Sequence, residues 1–217
     1  MIKCVIFDLD GTLLSTLDTI TFHLNNTLRE CGLCEITVED CRAFIGNGAK
    51  KLVSRAVGKG GTDDTDTVLS VLGAYNEAYD DDPLPLTHPY SGIPELVDML
   101  RERGIRLAVV TNKPENTAKK LIEHFFPGKF DLVVGGRTGA ELKPDPTETL
   151  AAINTLGCEP CETVFVGDTS VDICTAKNSK VALAVGVSWG FRDRGELESA
   201  GADLVIDHPL SLMAEVT

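Results

Sequence analysis

The sequence predicts an α/β fold: a doubly wound, Rossmann-like parallel sheet with a helical cap domain inserted after its first strand. Three observations predict it. Short apolar runs alternate with helical stretches over most of the chain. The runs are apolar throughout rather than at every second residue, as strands are when both faces of a sheet are covered. One interval, between Thr12 and about Thr87, carries helical patterns and no convincing buried strand.

In chain order, the first strand is "CVIF", Cys4 to Phe7, which runs straight into Asp8, Leu9, Asp10, Gly11 and Thr12. The stretches "LDTITFHLNNTLRECG", "TVEDCRAFIG", "GAKKLVSRAVG" and "DTDTVLSVLGAYNEAYDDD" then space their apolar residues as helices do. They define an inserted helical domain over 15–81, read as a lid on a core made of 1–14 and 82–217. The polar, proline-containing "DDDPLPLTHPYSG" returns the chain to that core. There, helices over 92–104, 114–126, 145–157 and 170–179 alternate with strands over 106–110, 132–134, 163–166, 181–185 and 204–206. Each helix has a suitable opening residue or a closing glycine.

Composition narrows the function. With 217 residues the chain fits one large domain, or one domain with a smaller insert, and 43% apolar and 24% charged residues are ordinary globular usage. No apolar run reaches the roughly 18 residues needed to span a bilayer, and "MIKCVIF" lacks the apolar region and cleavage site of a signal peptide, so a cytoplasmic protein is expected. A net charge of -13 disfavours nucleic acid and anionic membrane, both normally bound by clustered Lys and Arg. A small molecule is the expected partner, and the oligomeric state is left open. The pairs Cys31/Cys34 and Cys158/Cys161 lie too far apart for a compact zinc site, and neither opens a helix after a strand as a redox pair does; they are read as reduced thiols.

In open parallel sheets ligands bind beyond the carboxyl ends of the strands, and three apolar strands here end in polar groups. "CVIF" leads to Asp8 and Asp10, "RLAVV" to Thr111 and Asn112, and "TVFVG" to Asp168. Two neighbouring carboxylates at the end of a buried strand raise each other's pKa unless a cation or a shared proton offsets them. Lys143 in "ELKPDP" precedes a helix start, although Lys113 in "TNKP" competes for its role. Thr111 and Asn112 also suit a turn, and "GDTSVD" also suits a helix cap. Their joint occurrence in this order is what marks a site.

Together these motifs resemble the haloacid dehalogenase superfamily, in its phosphoglycolate-phosphatase-like branch: "DLDGT", "VVTNK", "KPDP" and "GDTSVD" look like its four motifs, and "FIGNGAKKLVSRA" looks like the cap segment of that branch. One departure is Ser15-Thr16 where members commonly have Asp-Ser. The resemblance implies a phosphatase in which Asp8 is the nucleophile and Asp10 the general acid and base. It implies Mg²⁺ held by Asp8, Asp168 and the backbone carbonyl of Asp10, with Asp172 behind them. Thr111, Asn112 and Lys143 would bind the phosphoryl group. In the lid, Phe44, Asn47 and Lys50, with Lys51 and Arg55 beside them, are the candidates for reading the leaving group. The implied substrate is a small phosphomonoester, 2-phosphoglycolate first. A sugar-phosphate phosphatase or β-phosphoglucomutase-like phosphotransferase is the alternative, followed by a phosphonatase or a noncatalytic phospho-ligand binding protein. The length and the insert argue against a receiver domain, and Asp10 argues against a true dehalogenase.

Overall fold

The computed structural model describes residues 1–61 and 64–216. Six strands form one parallel sheet: β1 (Cys4–Phe7), β4 (Arg106–Pro114), β5 (Leu132–Gly136), β6 (Thr163–Gly167), β7 (Leu183–Val187) and β8 (Leu204–Ile206), in the order β5-β4-β1-β6-β7-β8. The chain winds outward from β1 through β4 to β5, then returns to the other side of β1 and winds outward again through β6, β7 and β8. This reversal places the crevice of a doubly wound sheet at the carboxyl ends of β1 and β6. Register fixes which residues meet there, because Phe7 pairs with Val109 on one side and Val166 on the other.

All four residues of β1 are fully buried. Side chains alternate across a strand. Val5 and Phe7 therefore join the cluster under α5 (Ile93–Glu102) and α6 (Glu115–Phe125), while Cys4 and Ile6 join the one under α7 (Thr147–Thr155) and α8 (Ser170–Asn178). Covering both faces is why the strand is a continuous apolar run. Helix α5 shows the complementary rule: it buries Ile93, Leu96, Val97 and Leu100, an i, i+3, i+4, i+7 stripe.

Between β1 and β4 the chain leaves and re-enters the core through a short antiparallel pair, β2 (Leu14–Ser15) and β3 (His88–Pro89). Above that pair lie α1 (Leu17–Glu30), α2 (Val38–Phe44), α3 (Ala49–Lys59) and α4 (Thr65–Asp81). These helices share a hydrophobic cluster of their own, which also takes in Phe191 from the loop after β7. Helix α4 contributes Val68, Val71, Tyr75 and Tyr79 to it. Among the described residues, no helix is long and apolar enough to cross a membrane.

Three details depart from the sequence expectation. Strand β4 continues four residues past Val110 to Pro114, with a register shift between those two residues where its apolar run gives way to Thr111, Asn112 and Lys113. Strand β7 begins two residues later than expected, at Leu183, and α9 (Arg194–Ser199) was not expected at all. Six residues give too few turns for a periodicity to show, and α9 is fixed instead by its cap: the Asp193 side chain accepts from Glu196 N–H.

Candidate active site

Asp8 is the first residue beyond β1 and its N–H still donates to Val166 O at 2.9 Å, so its direction is set by the sheet. Asp168 is the first residue beyond β6, with its carboxylate held at both oxygens. Thr12 Oγ1 donates to Oδ1 at 3.0 Å and Phe191 N–H donates to Oδ2 at 2.8 Å. The turn after Asp10 passes against this carboxylate at Gly11, whose φ is +83°; a Cβ there would lie 2.2 Å from Asp168 Oδ2. Only glycine meets both the close approach and the backbone conformation.

Asp172 plays two parts. As the N3 residue of α8 it closes a capping box, its Oδ2 accepting from Thr169 N–H at 3.0 Å and Thr169 Oγ1 at 2.7 Å. Its other oxygen, Oδ1, accepts from Lys143 Nζ at 2.7 Å. The capping reading of "GDTSVD" and the site reading thus describe one residue. Lys143 Nζ also lies 2.8 Å from Asp8 Oδ1, but that oxygen is buried and makes no well-directed hydrogen bond. Asn112 sets the Lys143 segment: Oδ1 accepts from Lys143 N–H at 2.8 Å, and Nδ2 donates at 3.1 Å both to Lys143 O and to Gly46 O in the loop between α2 and α3.

Electrostatics show what the cluster lacks. Oxygens of Asp8, Asp168 and Asp172 lie within 4.8 Å of one another, all buried, facing the single ammonium of Lys143. Burial, helped by the charges of Asp172 and Asp10 and opposed by Lys143, pushes the Asp8 carboxyl up to about 6. Burial, with Asp172 and Asp8 adding to it, also raises Asp168 well above the ordinary carboxylate value. For Lys143 burial acts to lower the pKa, but Asp172 and Asp8 outweigh it and the net shift is upward. One ammonium therefore leaves the carboxylates undercompensated. A buried, all-oxygen set with more negative charge than one ammonium offsets suits a hard divalent cation.

Asp10 is held by a different cation. Lys113 Nζ donates to its two carboxylate oxygens at 3.0 and 3.2 Å and to Tyr79 OH at 2.7 Å. Asp8, Asp10, Thr111, Asn112, Lys113 and Lys143 all line one cavity of about 530 Å³ between the strand ends and the helical insert, a volume suited to a small ligand.

The structure brings Asp8, Asp168, Asp172 and Lys143 together and sets Asp10, Thr111 and Asn112 at the same cavity. It does not bring Phe44, Asn47 and Lys50 there. None of them lines the cavity; Lys50 is exposed, and the Phe44 carbonyl and Asn47 side chain both accept from Arg55 instead. Helix α3 turns Leu52, Val53, Ala56 and Val57 inward, and burying that apolar stripe, not the charges, decides its orientation. The insert lines the cavity through Ile45, Gly48, Leu52, Tyr75, Asn76 and Tyr79. Sequence reasoning missed Thr12 and Tyr79. Thr12 belongs to the quoted "DLDGT" and could have been marked, whereas nothing in the sequence links Tyr79 to Lys113.

The profile of the family described as haloacid dehalogenase-like hydrolase matches residues 5–185. A phosphoglycolate phosphatase of Rhodospirillum rubrum is 40% identical over 220 residues, covering 98% of this chain and 90% of that protein. One of Aquifex aeolicus is 34% identical over 214 residues, covering 97% and 95%. The crystal structure of a Lactobacillus delbrueckii subsp. bulgaricus protein, provisionally named a phosphoglycolate phosphatase, superimposes with a TM-score of 0.93 at 33% identity, covering 99% of this chain and 98% of that one.

Proposed function

The chain belongs to the haloacid dehalogenase-like hydrolases and is a phosphoric monoester hydrolase, and we propose that it hydrolyses a small phosphorylated acid, 2-phosphoglycolate first, through an aspartyl-phosphate on Asp8. The observation that carries this reading is the Asp8 carboxylate: buried at a strand end, paired through Oδ1 with Lys143 at 2.8 Å and set beside Asp168 and Asp172. The curated relatives named phosphoglycolate phosphatase support the substrate.

In this reading Asp8 attacks phosphorus, turning one difficult displacement into two easier ones. Lys143 Nζ and Thr111 Oγ1 bind the equatorial phosphoryl oxygens, where charge must be stabilised throughout the transition state. Asp10 gives its proton to the departing oxygen and takes one from the water that hydrolyses the intermediate. Asp8, Asp168 and the Asp10 carbonyl would hold Mg²⁺, with Asp172 behind them, and the bound ion would offset the charge that Lys143 leaves uncompensated. Residues 15–81 act as a cap on the core of 1–14 and 82–217, hinged where β2 and β3 carry the chain out and back, and exclude water from the cavity.

A kcat/KM panel on 2-phosphoglycolate, β-glucose 1-phosphate, a nucleoside monophosphate, pyrophosphate and phosphonoacetaldehyde tests the reading. With Mg²⁺, 2-phosphoglycolate is expected to lead by at least about tenfold, roughly 1.4 kcal/mol of transition-state discrimination, and a chelator is expected to abolish every rate. A clear winner among the sugar phosphates would overturn the substrate and leave the phosphatase chemistry standing.

A further inference from the structure

Among the described residues, three cationic side chains line the cavity, and two of them are committed elsewhere. Lys143 is enclosed by Asp8 and Asp172. Arg137, about half exposed, is tied to Glu115 at 3.0 Å and Glu148 at 2.6 Å. The third, Lys113, has a side chain only 2% exposed, with Nζ against Asp10 and Tyr79 OH and 4.2 Å from the Tyr79 ring centre. A buried ion pair adds little net stability over an apolar replacement of the same volume, so a fold has no packing reason to keep an ammonium here. Asn76 also lines the cavity, one turn before Tyr79 on α4, and its side-chain Oδ1 is buried without a hydrogen-bond partner.

We propose that Lys113 is the specificity-determining cation that takes the carboxylate of the leaving group, an inference that rests on the phosphatase reading above. An ester oxygen that accepts the Asp10 proton lies within about 3 Å of an Asp10 oxygen. Lys113 Nζ is 3.0 Å from that same carboxylate. In a glycolate leaving group the carboxylate carbon is two bonds, about 2.4 Å, from the ester oxygen, which brings the carboxylate oxygens within hydrogen-bond range of Nζ. Each further methylene carries the anion about 1.3 Å outward, beyond that range.

An ammonium has three donors, and here Asp10 holds two and Tyr79 the third. The incoming carboxylate replaces one Asp10 contact. The contact that remains keeps Asp10 beside the ester oxygen. Because Tyr79 belongs to α4 and Lys113 to β4, the anion is bound where insert and core meet, and Asn76, whose buried Oδ1 has no hydrogen-bond partner, lines the same cavity.

The test compares 2-phosphoglycolate with 2-phosphoglycolamide, its isostere with a neutral amide in place of the carboxylate, both with Mg²⁺, in the wild type, Lys113→Gln and Lys113→Met. The wild type is expected to favour the acid in kcat/KM by on the order of a hundredfold, and both variants to bring the ratio to about 1, with the loss on the acid appearing mainly in KM. Damage transmitted through Asp10 slows both esters alike and cancels in the ratio. Where Lys113→Gln fails to fold, Lys113→Met, which fills the same volume without a polar atom, answers the question. A variant that keeps the hundredfold ratio while both esters slow overturns the proposal and leaves the substrate reading intact, since Lys113 would then act only by positioning Asp10. A wild type that hydrolyses both esters equally overturns the substrate reading and this proposal together.

Discussion

Asp8→Asn is expected to hydrolyse 2-phosphoglycolate and p-nitrophenyl phosphate at least about 10⁴-fold more slowly than the wild type in kcat, while folding normally. An amide is too poor a nucleophile to open the first displacement, and among the described residues Asp8 is the carboxylate that directly follows β1. Stability is expected to move the other way. Above its ordinary value of 3.8, with the folded-state value pushed up to about 6, the Asp8 carboxyl binds its proton more tightly in the folded chain than in the unfolded one. The metal-free wild type therefore loses stability as pH rises through that window, and the variant is spared the part of that loss that belongs to Asp8. Thermal melts in a chelator should show Asp8→Asn gaining on the wild type between about pH 4 and pH 6 and holding the gain above it. Retained turnover in the variant would remove Asp8 as the nucleophile.

Lys143→Met is expected to be the most damaging substitution for the fold among the site residues. It matches the volume of the stem but leaves Asp8 and Asp172 buried without a cation, and breaking a buried pair from one side costs about 3–5 kcal/mol. Urea melts in a chelator measure it. Adding Asp172→Asn should recover part of that loss, because one of the stranded charges is then removed; a double-mutant cycle showing no coupling would mean the two groups do not share the charge the structure assigns to them. In kcat/KM the same variant should lose about 10²–10³, as when a preorganised donor to a developing oxyanion is deleted. Lys177→Ala, which breaks an exposed pair with Asp203, should be nearly silent in both measurements.

What the sequence could and could not reveal divides along physical lines. Asp8, Asp10 and Asp168 were legible because a carboxylate following an unbroken apolar strand does nothing for packing, and in a doubly wound sheet such positions converge on one edge. Pairing Asp8 with Asp168, 160 residues apart, rests on the resemblance of "DLDGT" and "GDTSVD" to the family's motifs, and the fold gives its physical reason: β1 and β6 are neighbours in the sheet. By position alone Lys143 and Lys113 compete, since each follows or precedes a regular element and either could face the site; only the resemblance of "KPDP" to the third motif favours Lys143. The register shift between Val110 and Pro114 and the Asn112 bonds to the Lys143 backbone separate them, sending Lys143 to Asp8 and Lys113 to Asp10. The lid residues Phe44, Asn47 and Lys50 were chosen for their chemistry, but the orientation of a short helix is decided by what it buries. Leu52, Val53, Ala56 and Val57 show that face, and it leaves Lys50 in solvent. Tyr79 was legible only as one more apolar position of α4, because its hydroxyl partner lies on a strand 34 residues away.

The most direct test of the account is chemical trapping of the covalent intermediate. Wild type mixed with 2-phosphoglycolate and Mg²⁺, quenched during turnover and reduced with borohydride, converts an acyl phosphate on an aspartate to homoserine, and peptide mass spectrometry locates it. Homoserine is expected at position 8 in the wild type and nowhere in Asp8→Asn. Homoserine at another aspartate, or an unmodified Asp8 in an enzyme caught while releasing phosphate at full rate, would contradict it.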